Sequence, residues 1–452
     1  MGRIIIPFMM HSGISTYFTA GFSRLCRLSR EGSWVVMGQA ATVIGSLAGV
    51  RLLSELLDPA AYGELALGMT AAALVNQTIL GPLSNGIARF YALAAEQGNL
   101  RDYLDASRRL VLLATGGIAL LGMLFISGLI LSGTTGRIVA LALASLAFAT
   151  LSGLNAILNG IQNATRRRAL VAARQGIESW GRFLIATAML LWLSRSSEVA
   201  MAGFAIAAAV VLASQFTNFS GIHVPPAAET DGKSSFWRKK IWTFSWPFST
   251  FGIFTLLQST SDRWALQLFS TAQAVGLYAV LFQVGYYPIT IGAGIAVQFF
   301  SPIFYQKAGD GTDGERNADV LRLCGRLVWT ILMGTIVVFA AAIFWQAPIM
   351  RFFTAEEYRS ASHLLPWLLL SGGMFAAGQV VEMTLMSQAR TRLLIPAKVA
   401  TAVCGVILNF AGAYWYGIPG IVAAVNLFSL SYLLSMALLL KRHGTGRVLC
   451  LS

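Results

Sequence analysis

Three ionisable residues recur at helical spacing at the start of an apolar stretch of the chain. Arg174, Glu178 and Arg182 are four residues apart, so a helix would carry all three on one face. Ionisable groups in an apolar membrane segment are functional candidates, because burying them there is costly. The guanidinium groups could hold an anion, and the carboxylate could take up H+ or Na+. The alternative is that this helix projects from the membrane and that the three residues form a solvated, salt-bridged stripe.

Other charged residues stand near the ends of apolar stretches. Asp262 and Arg263 lie near the end of the seventh stretch, Arg51 ends the first, and Glu382 lies near the inner end of the tenth. Each is a candidate for lining a cavity. The alternative for the first three is an interfacial ion pair or a helix end, and for Glu382 a hydrogen bond to a neighbouring helix. Glu178, Asp262 and Glu382 are the acids that could bind a coupling H+ or Na+.

Five uncharged amide residues inside apolar stretches are further candidates for ligand contacts. They are Gln39, Asn76, Gln77, Gln258 and Gln283. Such residues more often hydrogen-bond a neighbouring membrane helix. The four cysteines and four histidines are scattered, without the spacing of metal ligands. The sequence therefore predicts no metal site, no cofactor and no catalytic residue.

The composition of the chain indicates the class of fold that must position these candidate residues. Of 452 residues, 56% are hydrophobic and 12% are charged, whereas soluble domains are about 25% charged. Such a chain could not cover its surface with polar groups in water, which excludes a soluble enzyme. Its apolar runs have the length of about 20 residues that spans a bilayer as a helix. The alternating segments of a membrane β-barrel are not found. The sequence therefore predicts an all-α integral membrane protein.

Twelve apolar segments follow one another, which predicts about 12 transmembrane helices in two pseudo-symmetric six-helix bundles. The segments are 33–53, 62–82, 110–133, 137–158, 172–194, 198–218, 242–261, 275–295, 325–347, 362–384, 397–416 and 418–440. The bundles are joined by a cytoplasmic linker and flanked by two cytoplasmic tails, the first with an interfacial helix. The ranges are 1–32 for the first tail, 33–218 for the first bundle, 219–240 for the linker, 241–442 for the second bundle and 443–452 for the last tail.

Lysine and arginine are concentrated on one side of this arrangement. Most of the 33 lie in the two tails and the even-numbered loops, and basic segments stay on the cytoplasmic side. We therefore expect both termini inside the cell. The net charge of +14 follows from this bias and favours contact with anionic membrane lipids. No nucleic-acid partner is expected.

Two short motifs recur in the two predicted bundles. Residues 56–63 (LLDPAAYG) precede the second segment, and residues 268–276 (LFSTAQAVG) precede the eighth. A second pair, 163–172 and 388–397, follows the fourth and tenth segments. Because six helices is an even number, the two halves have the same orientation. Parallel halves related by an axis along the membrane normal are typical of transporters, with the substrate path between them.

The motif at 56–63 resembles the Leu-Gly-Pro-x-x-Tyr-Gly element of the polysaccharide transporter family, and 275–278 is similar to its second-half counterpart. The Asp262–Arg263 pair is also typical of that family in position. The resemblance covers about 33–442. It departs from the family pattern at Asp58, where glycine is usual, and in the second half, which lacks the proline. The family includes flippases of lipid-linked O-antigen and exopolysaccharide units, and belongs to the multidrug/oligosaccharidyl-lipid/polysaccharide exporter superfamily.

The resemblance implies a V-shaped pair of six-helix bundles in the bacterial inner membrane and a transporter rather than an enzyme. The implied substrate is an undecaprenyl-pyrophosphate-linked oligosaccharide, moved to the periplasmic leaflet by alternating access for surface polysaccharide synthesis. A polysaccharide polymerase and chain-length proteins are the implied partners. An anionic pyrophosphate requires a hydrophilic, cationic cavity between the halves, and the basic candidates of this chain outnumber the acidic ones.

Three other functions compete with this interpretation. A membrane glycosyltransferase, polymerase or ligase usually has a large outside loop with catalytic groups, whereas the longest outside loop here, about 348–361, is short. A multidrug cation antiporter shares the superfamily fold but would favour acidic groups in its cavity. A lipid II flippase would typically have fourteen spans.

Overall fold

The computed structural model describes residues 37–165, 168–219, 234–308, 314–388 and 394–444, and its regular structure in these ranges is helical. The helices are α1 (37–56), α2 (Pro59–Glu96), α3 (Leu100–Leu131), α4 (Gly136–Ala164), α5 (Arg168–Trp192), α6 (Ser197–Phe219), α7 (Ser234–Phe269), α8 (Ala272–Ala308), α9 (Gly314–Phe353) and α10 (Leu365–Ser387). The last stretch, Leu394–Gly444, is interrupted at Gly417, where φ is 59°. This residue separates α11 (394–416) from α12 (418–444). A 3-10 helix, Glu356–Leu364, precedes α10, and a π-helical turn, Asn76–Leu80, lies within α2.

The twelve described helices correspond one to one with the twelve predicted segments, so the predicted all-α fold is confirmed. Within the part of the chain that the structure describes, eight helical stretches are long and apolar enough to cross a membrane, with α11 and α12 counted together. The other three described helices, α1, α5 and α7, carry the charged candidates Arg51, Arg182 and Asp262. The predicted tail at 1–32, residues 220–233 of the predicted linker 219–240 and residues 445–452 of the predicted last tail 443–452 lie outside the described residues.

The helices pack as two halves of similar internal arrangement. In the first half α4 packs against α2, α3 and α6, and in the second half α10 packs against α8, α9 and the α11–α12 stretch. The two halves meet where α2 packs against α8 and α7. The equivalent helices α3 and α9 are the most peripheral spans, since only 17% and 11% of their apolar windows are buried in the protein.

The described residues form three apolar cores, and these differ between the two ends of the bundle. We call the end at which α1 finishes and α2 begins the α1–α2 end. The largest core lies there and includes residues from both halves, among them Leu57, Tyr62, Val275 and Tyr358. Towards the opposite end, one core belongs to the first half and the start of α7, and another to the second half. The two halves are therefore joined most extensively at the α1–α2 end.

The repeated motifs occupy equivalent positions at the starts of α2 and α8. Asp58 Oδ1 accepts a hydrogen bond from the Ala61 N–H at 2.7 Å, and Thr271 Oγ1 accepts one from the Ala274 N–H at 3.2 Å. Each cap satisfies a first-turn donor that has no partner within its own helix. Asp58, the departure from the family motif, is therefore an N-cap residue.

Candidate functional site

A cavity of about 500 Å³ lies between the two halves. Its walls come from α1, α2 and α5 of the first half and from α7, α8, α10, α11 and α12 of the second. Six of the residues predicted from the sequence line it. They are Gln77, Arg182, Gln258, Asp262, Arg263 and Gln283. The structure thus brings together, from four helices, side chains that are far apart in the chain.

Arg182 is the cationic group that the first half contributes to the cavity. Its guanidinium lies over the Phe183 ring, 4.7 Å from the ring centre, and 5.9 Å from the centre of the Phe204 ring. Among the described residues its buried Nε atom has no hydrogen-bond partner. The aromatic faces attract the cation but offer it no acceptor oxygen. Because Arg182 lines the cavity and a guanidinium has five N–H donors, it could donate a hydrogen bond to a ligand there.

Asp262 and Arg263 are adjacent on α7 and differ in what they offer a ligand. Asp262 is 3% exposed. Its Oδ2 accepts a hydrogen bond from the Tyr278 hydroxyl at 2.7 Å, and its Oδ1 accepts one from the Arg263 backbone N–H at 2.7 Å. The Arg263 guanidinium lies 3.8 Å from Asp262 and 5.1 Å from the centre of the Phe282 ring. The lining thus has two guanidinium groups and one carboxylate, and that carboxylate is already hydrogen-bonded.

The amides of the cavity make contacts across its walls. Gln283 Oε1 accepts a hydrogen bond from the Tyr62 hydroxyl at 3.0 Å, which links α8 to α2. Gln77 Oε1 is 3.5 Å from the Thr255 hydroxyl. Asn409 on α11, which was not predicted, also lines the cavity and donates to Ser261 Oγ at 2.8 Å. Like Asn76, Asn409 is an asparagine inside an apolar segment, and this feature of the sequence could have identified it as a candidate.

The remaining candidates of the first bundle lie away from the cavity lining. Arg174 donates to Gln162 Oε1 at 2.7 Å and to the Ser214 carbonyl at 3.2 Å, within the first half. Glu178 is partly buried one turn before Arg182. Asn76 donates to Ser152 Oγ at 3.0 Å. Gln39 is partly buried near the start of the described part of α1.

Arg51 and Glu382 also lie away from the cavity, towards opposite ends of the bundle. Arg51 pairs with Glu55 at 2.5 Å and donates to the Thr354 carbonyl at 2.7 Å, so it connects α1 to the end of α9. Glu382 is buried in the second half, where it pairs with Lys398 on α11 and accepts from the Tyr432 hydroxyl on α12. Within the described residues no three His, Cys, Asp or Glu side chains are close enough to hold a metal ion.

Comparisons with known proteins complete this description. No family model matches the chain, and no curated protein matches it in sequence. Its structure is similar to the inward closed conformation of the lipid II flippase MurJ, with 14% identity and a TM-score of 0.65 over 91% of this chain and 87% of MurJ. An inward-facing multidrug resistance MATE family transporter of the MOP superfamily has 14% identity and a TM-score of 0.63 over 92% and 95% of the two chains. A variant of the Vibrio cholerae MATE transporter VcmN has 14% identity and a TM-score of 0.58 over 94% and 99%. The chain therefore has the fold that these membrane transporters share.

Proposed function

We propose that the protein transports an undecaprenyl-pyrophosphate-linked oligosaccharide across the bacterial inner membrane by alternating access, for the synthesis of a surface polysaccharide such as O-antigen or exopolysaccharide. One observation carries the proposal. Arg182 and Arg263, from different halves, line the same cavity, whereas its carboxylate, Asp262, is hydrogen-bonded by Tyr278 and the Arg263 N–H. With two guanidinium groups against one carboxylate, the residues that line the cavity carry a net charge of +1, which favours an anion.

The chemistry of the cargo fits this arrangement. Guanidinium groups present planar sets of donors that match the oxygens of phosphate groups. The amides of Gln77, Gln258, Gln283 and Asn409 supply hydrogen-bonding atoms for sugar hydroxyls on the same walls. A cargo of this kind needs a polar path, because its charge and hydroxyls are costly to place in lipid. Arg51, Arg174, Glu178, Glu382, Gln39 and Asn76 lie outside the lining, and we assign them no direct contact with cargo in this conformation.

The structurally similar proteins suggest two alternative cargoes, a cation and lipid II. A cation antiporter would be favoured by an excess of acidic groups in the cavity, whereas the lining has two guanidinium groups and one carboxylate. A lipid II flippase would bind the same pyrophosphate, so the cavity charge does not distinguish it and an experiment must. H+ or Na+ remains the proposed coupling ion, with Glu178, Asp262 and Glu382 as candidate acids.

Deletion of the gene tests the proposed cargo. We expect the deletion strain to lose surface polysaccharide and to accumulate undecaprenyl-linked oligosaccharide on the cytoplasmic side, while its sensitivity to cationic dyes stays unchanged. The measurements are polysaccharide blotting, lipid extraction and dye inhibition curves, with a complemented strain as the control. Normal polysaccharide with dye hypersensitivity would instead favour the antiporter. Loss of viability with accumulation of lipid II would favour the lipid II flippase.

The distribution of lysine and arginine leads us to propose that both termini are cytoplasmic. A reporter fused after Leu440 is expected to be active in the cytoplasm, and one fused near Arg195, in the loop between α5 and α6, in the periplasm. Paired phosphatase and fluorescent-protein fusions at the two sites measure this. Phosphatase activity after Leu440 would reverse the proposed orientation.

A further inference from the structure

The two repeated motifs contact each other reciprocally. A Cβ atom added at Gly63 on α2 would overlap the carbonyl oxygen of Ala272, and one added at Gly276 on α8 would overlap the carbonyl oxygen of Pro59. Each glycine therefore lies against the first residue of the opposite helix. We call this contact the glycine crossing. Gly63 and Gly276 are separated by 213 positions of the chain, and so are Pro59 and Ala272.

The glycine crossing lies at one end of the cavity. The nearest lining residues are Ala66 on α2 and Ala279 on α8, each one helical turn further along its helix than the crossing glycine. On the other side of the crossing α2 and α8 begin, at Pro59 and Ala272. The backbone contact therefore separates the cavity from the α1–α2 end along the seam between the two helices.

Hydrogen bonds also cross between the halves at this end, beside the apolar core that contains Leu57, Val275 and Tyr358. Ser54 Oγ accepts a hydrogen bond from the Ala355 N–H at 3.1 Å, and the Tyr358 hydroxyl donates to the Leu57 carbonyl at 2.8 Å. Arg51 donates to the carbonyl of Thr354. Such hydrogen bonds can be exchanged for bonds to water when the halves separate, whereas separation would also expose apolar side chains of the core at this end.

The Tyr62 side chain connects this closed end to the wall of the cavity. Tyr62 precedes Gly63 and donates to Gln283, which lines the cavity. The Tyr62 ring also contacts the Tyr358 ring edge-on, with 5.8 Å between ring centres. A cargo that competes for Gln283 would therefore act on the same tyrosine that packs beneath the closed end.

We propose that the glycine crossing is the gate that closes the cavity towards the α1–α2 end, and that the contacts of Arg51, Ser54 and Tyr358 hold it closed. The need for a glycine on each helix explains why the motif occurs in both halves. A side chain at either position would keep the two backbones apart. Interfaces with two alternative packings can convert a small local contact into a movement of two rigid bodies. The proposal does not depend on the identity of the cargo.

Accessibility labelling tests the gate. A reporter Ala73→Cys, in the cavity wall, is placed in a protein whose native cysteines are replaced by alanine. Membrane-impermeant maleimide is then applied to right-side-out and to inverted vesicles. We expect Gly63→Ala and Gly276→Ala to raise the labelling rate at least about tenfold from the α1–α2 side only. Gly292→Ala is the matched control on α8, because a Cβ there meets nothing within 4 Å, and it should leave the rate unchanged.

Arg51→Gln and Tyr358→Phe are second variants that weaken the closed end without adding an atom. We expect each to raise labelling from the same side, by less than the glycine variants. If the glycine variants fail to insert, these two variants decide the question. Unchanged labelling in inserted glycine variants, or in both second variants, would overturn the gate, and so would an equal increase in Gly292→Ala. A wrong cargo assignment would leave all of these labelling results as expected.

Discussion

Replacing Arg182 and Arg263 together with glutamine is expected to abolish polysaccharide export while leaving the amount of inserted protein unchanged. The two side chains supply the cationic donors of the cavity lining. A hydrogen bond to a charged group contributes about 1.5–3 kcal/mol, so losing one from each arginine should weaken pyrophosphate binding at least a hundredfold, or about 3 kcal/mol. Each single variant should lose at least about tenfold. Titration of the purified protein with undecaprenyl pyrophosphate measures the binding, and polysaccharide blotting measures the export.

Two matched variants make this result specific to the cavity. Arg109→Gln removes the same charge from an exposed pair with Asp105, 3.0 Å apart on α3, and should export normally. Asp262→Asn removes the cavity carboxylate and should preserve or tighten pyrophosphate binding, since the Tyr278 hydroxyl can still donate to the amide oxygen. Full export by the double variant would contradict the proposed cargo. Loss of dye resistance in Asp262→Asn with normal export of polysaccharide would instead favour a cation antiporter.

The number and order of the helices could be predicted from the sequence because the bilayer fixes the length of an apolar run. The ends of the helices could not. For example, α7 begins at Ser234 rather than at 242, and α9 at Gly314 rather than at 325. In both cases the helix starts with a polar and charged turn before the apolar run. Hydropathy detects only the apolar run of a helix. The backbone hydrogen bonds of the helix can continue through the polar turn that precedes this run.

The residues of the site could be predicted only in part. The spacing of residues shows which of them share a face of one helix, but it does not show which other helix packs against that face. Arg174 and Arg182 share a face of α5, yet Arg174 is bonded to Gln162 inside the first half and Arg182 lines the cavity. Tyr278 and Asn409 were missed for the same reason. Their roles follow from contacts with α7, and only the packing of α8 and α11 against α7 brings them there.

The repeat was visible in the sequence, but its structural cause was not. The motifs at 56–63 and 268–276 share a helix start and a glycine, and the sequence alone relates them only as equivalent positions in two halves. In the structure the two motifs contact each other. The carbonyl oxygen of the first residue of each helix lies against the glycine of the other helix. A contact between two copies of a motif cannot be read from either copy, since it depends on how the halves are placed relative to each other.

Lys398→Met is expected to destabilise the second half strongly, although it lies outside the cavity. Lys398 pairs with Glu382, which is also bonded by Tyr432, and the two side chains of the ion pair are 29% and 11% exposed. Removing one partner of a buried pair leaves the other charge poorly compensated, which costs about 3 kcal/mol at the lower end of observed values. Unfolding of the purified protein in increasing detergent denaturant, followed by circular dichroism, measures the loss.

The double variant Glu382→Gln with Lys398→Met distinguishes two causes of lost stability, the uncompensated charge and the changed packing at the site. Because glutamine is neutral and still accepts a hydrogen bond from Tyr432, most of the lost stability should return. Arg322→Met is the control, since the Asp319–Arg322 pair is 57% and 73% exposed and such surface pairs contribute less than about 1 kcal/mol. A double variant as unstable as Lys398→Met would show that the buried charge is not the cause. If Lys398→Met is stable but transports nothing, Glu382 acts as the acid that couples transport to an ion, rather than as half of a structural pair.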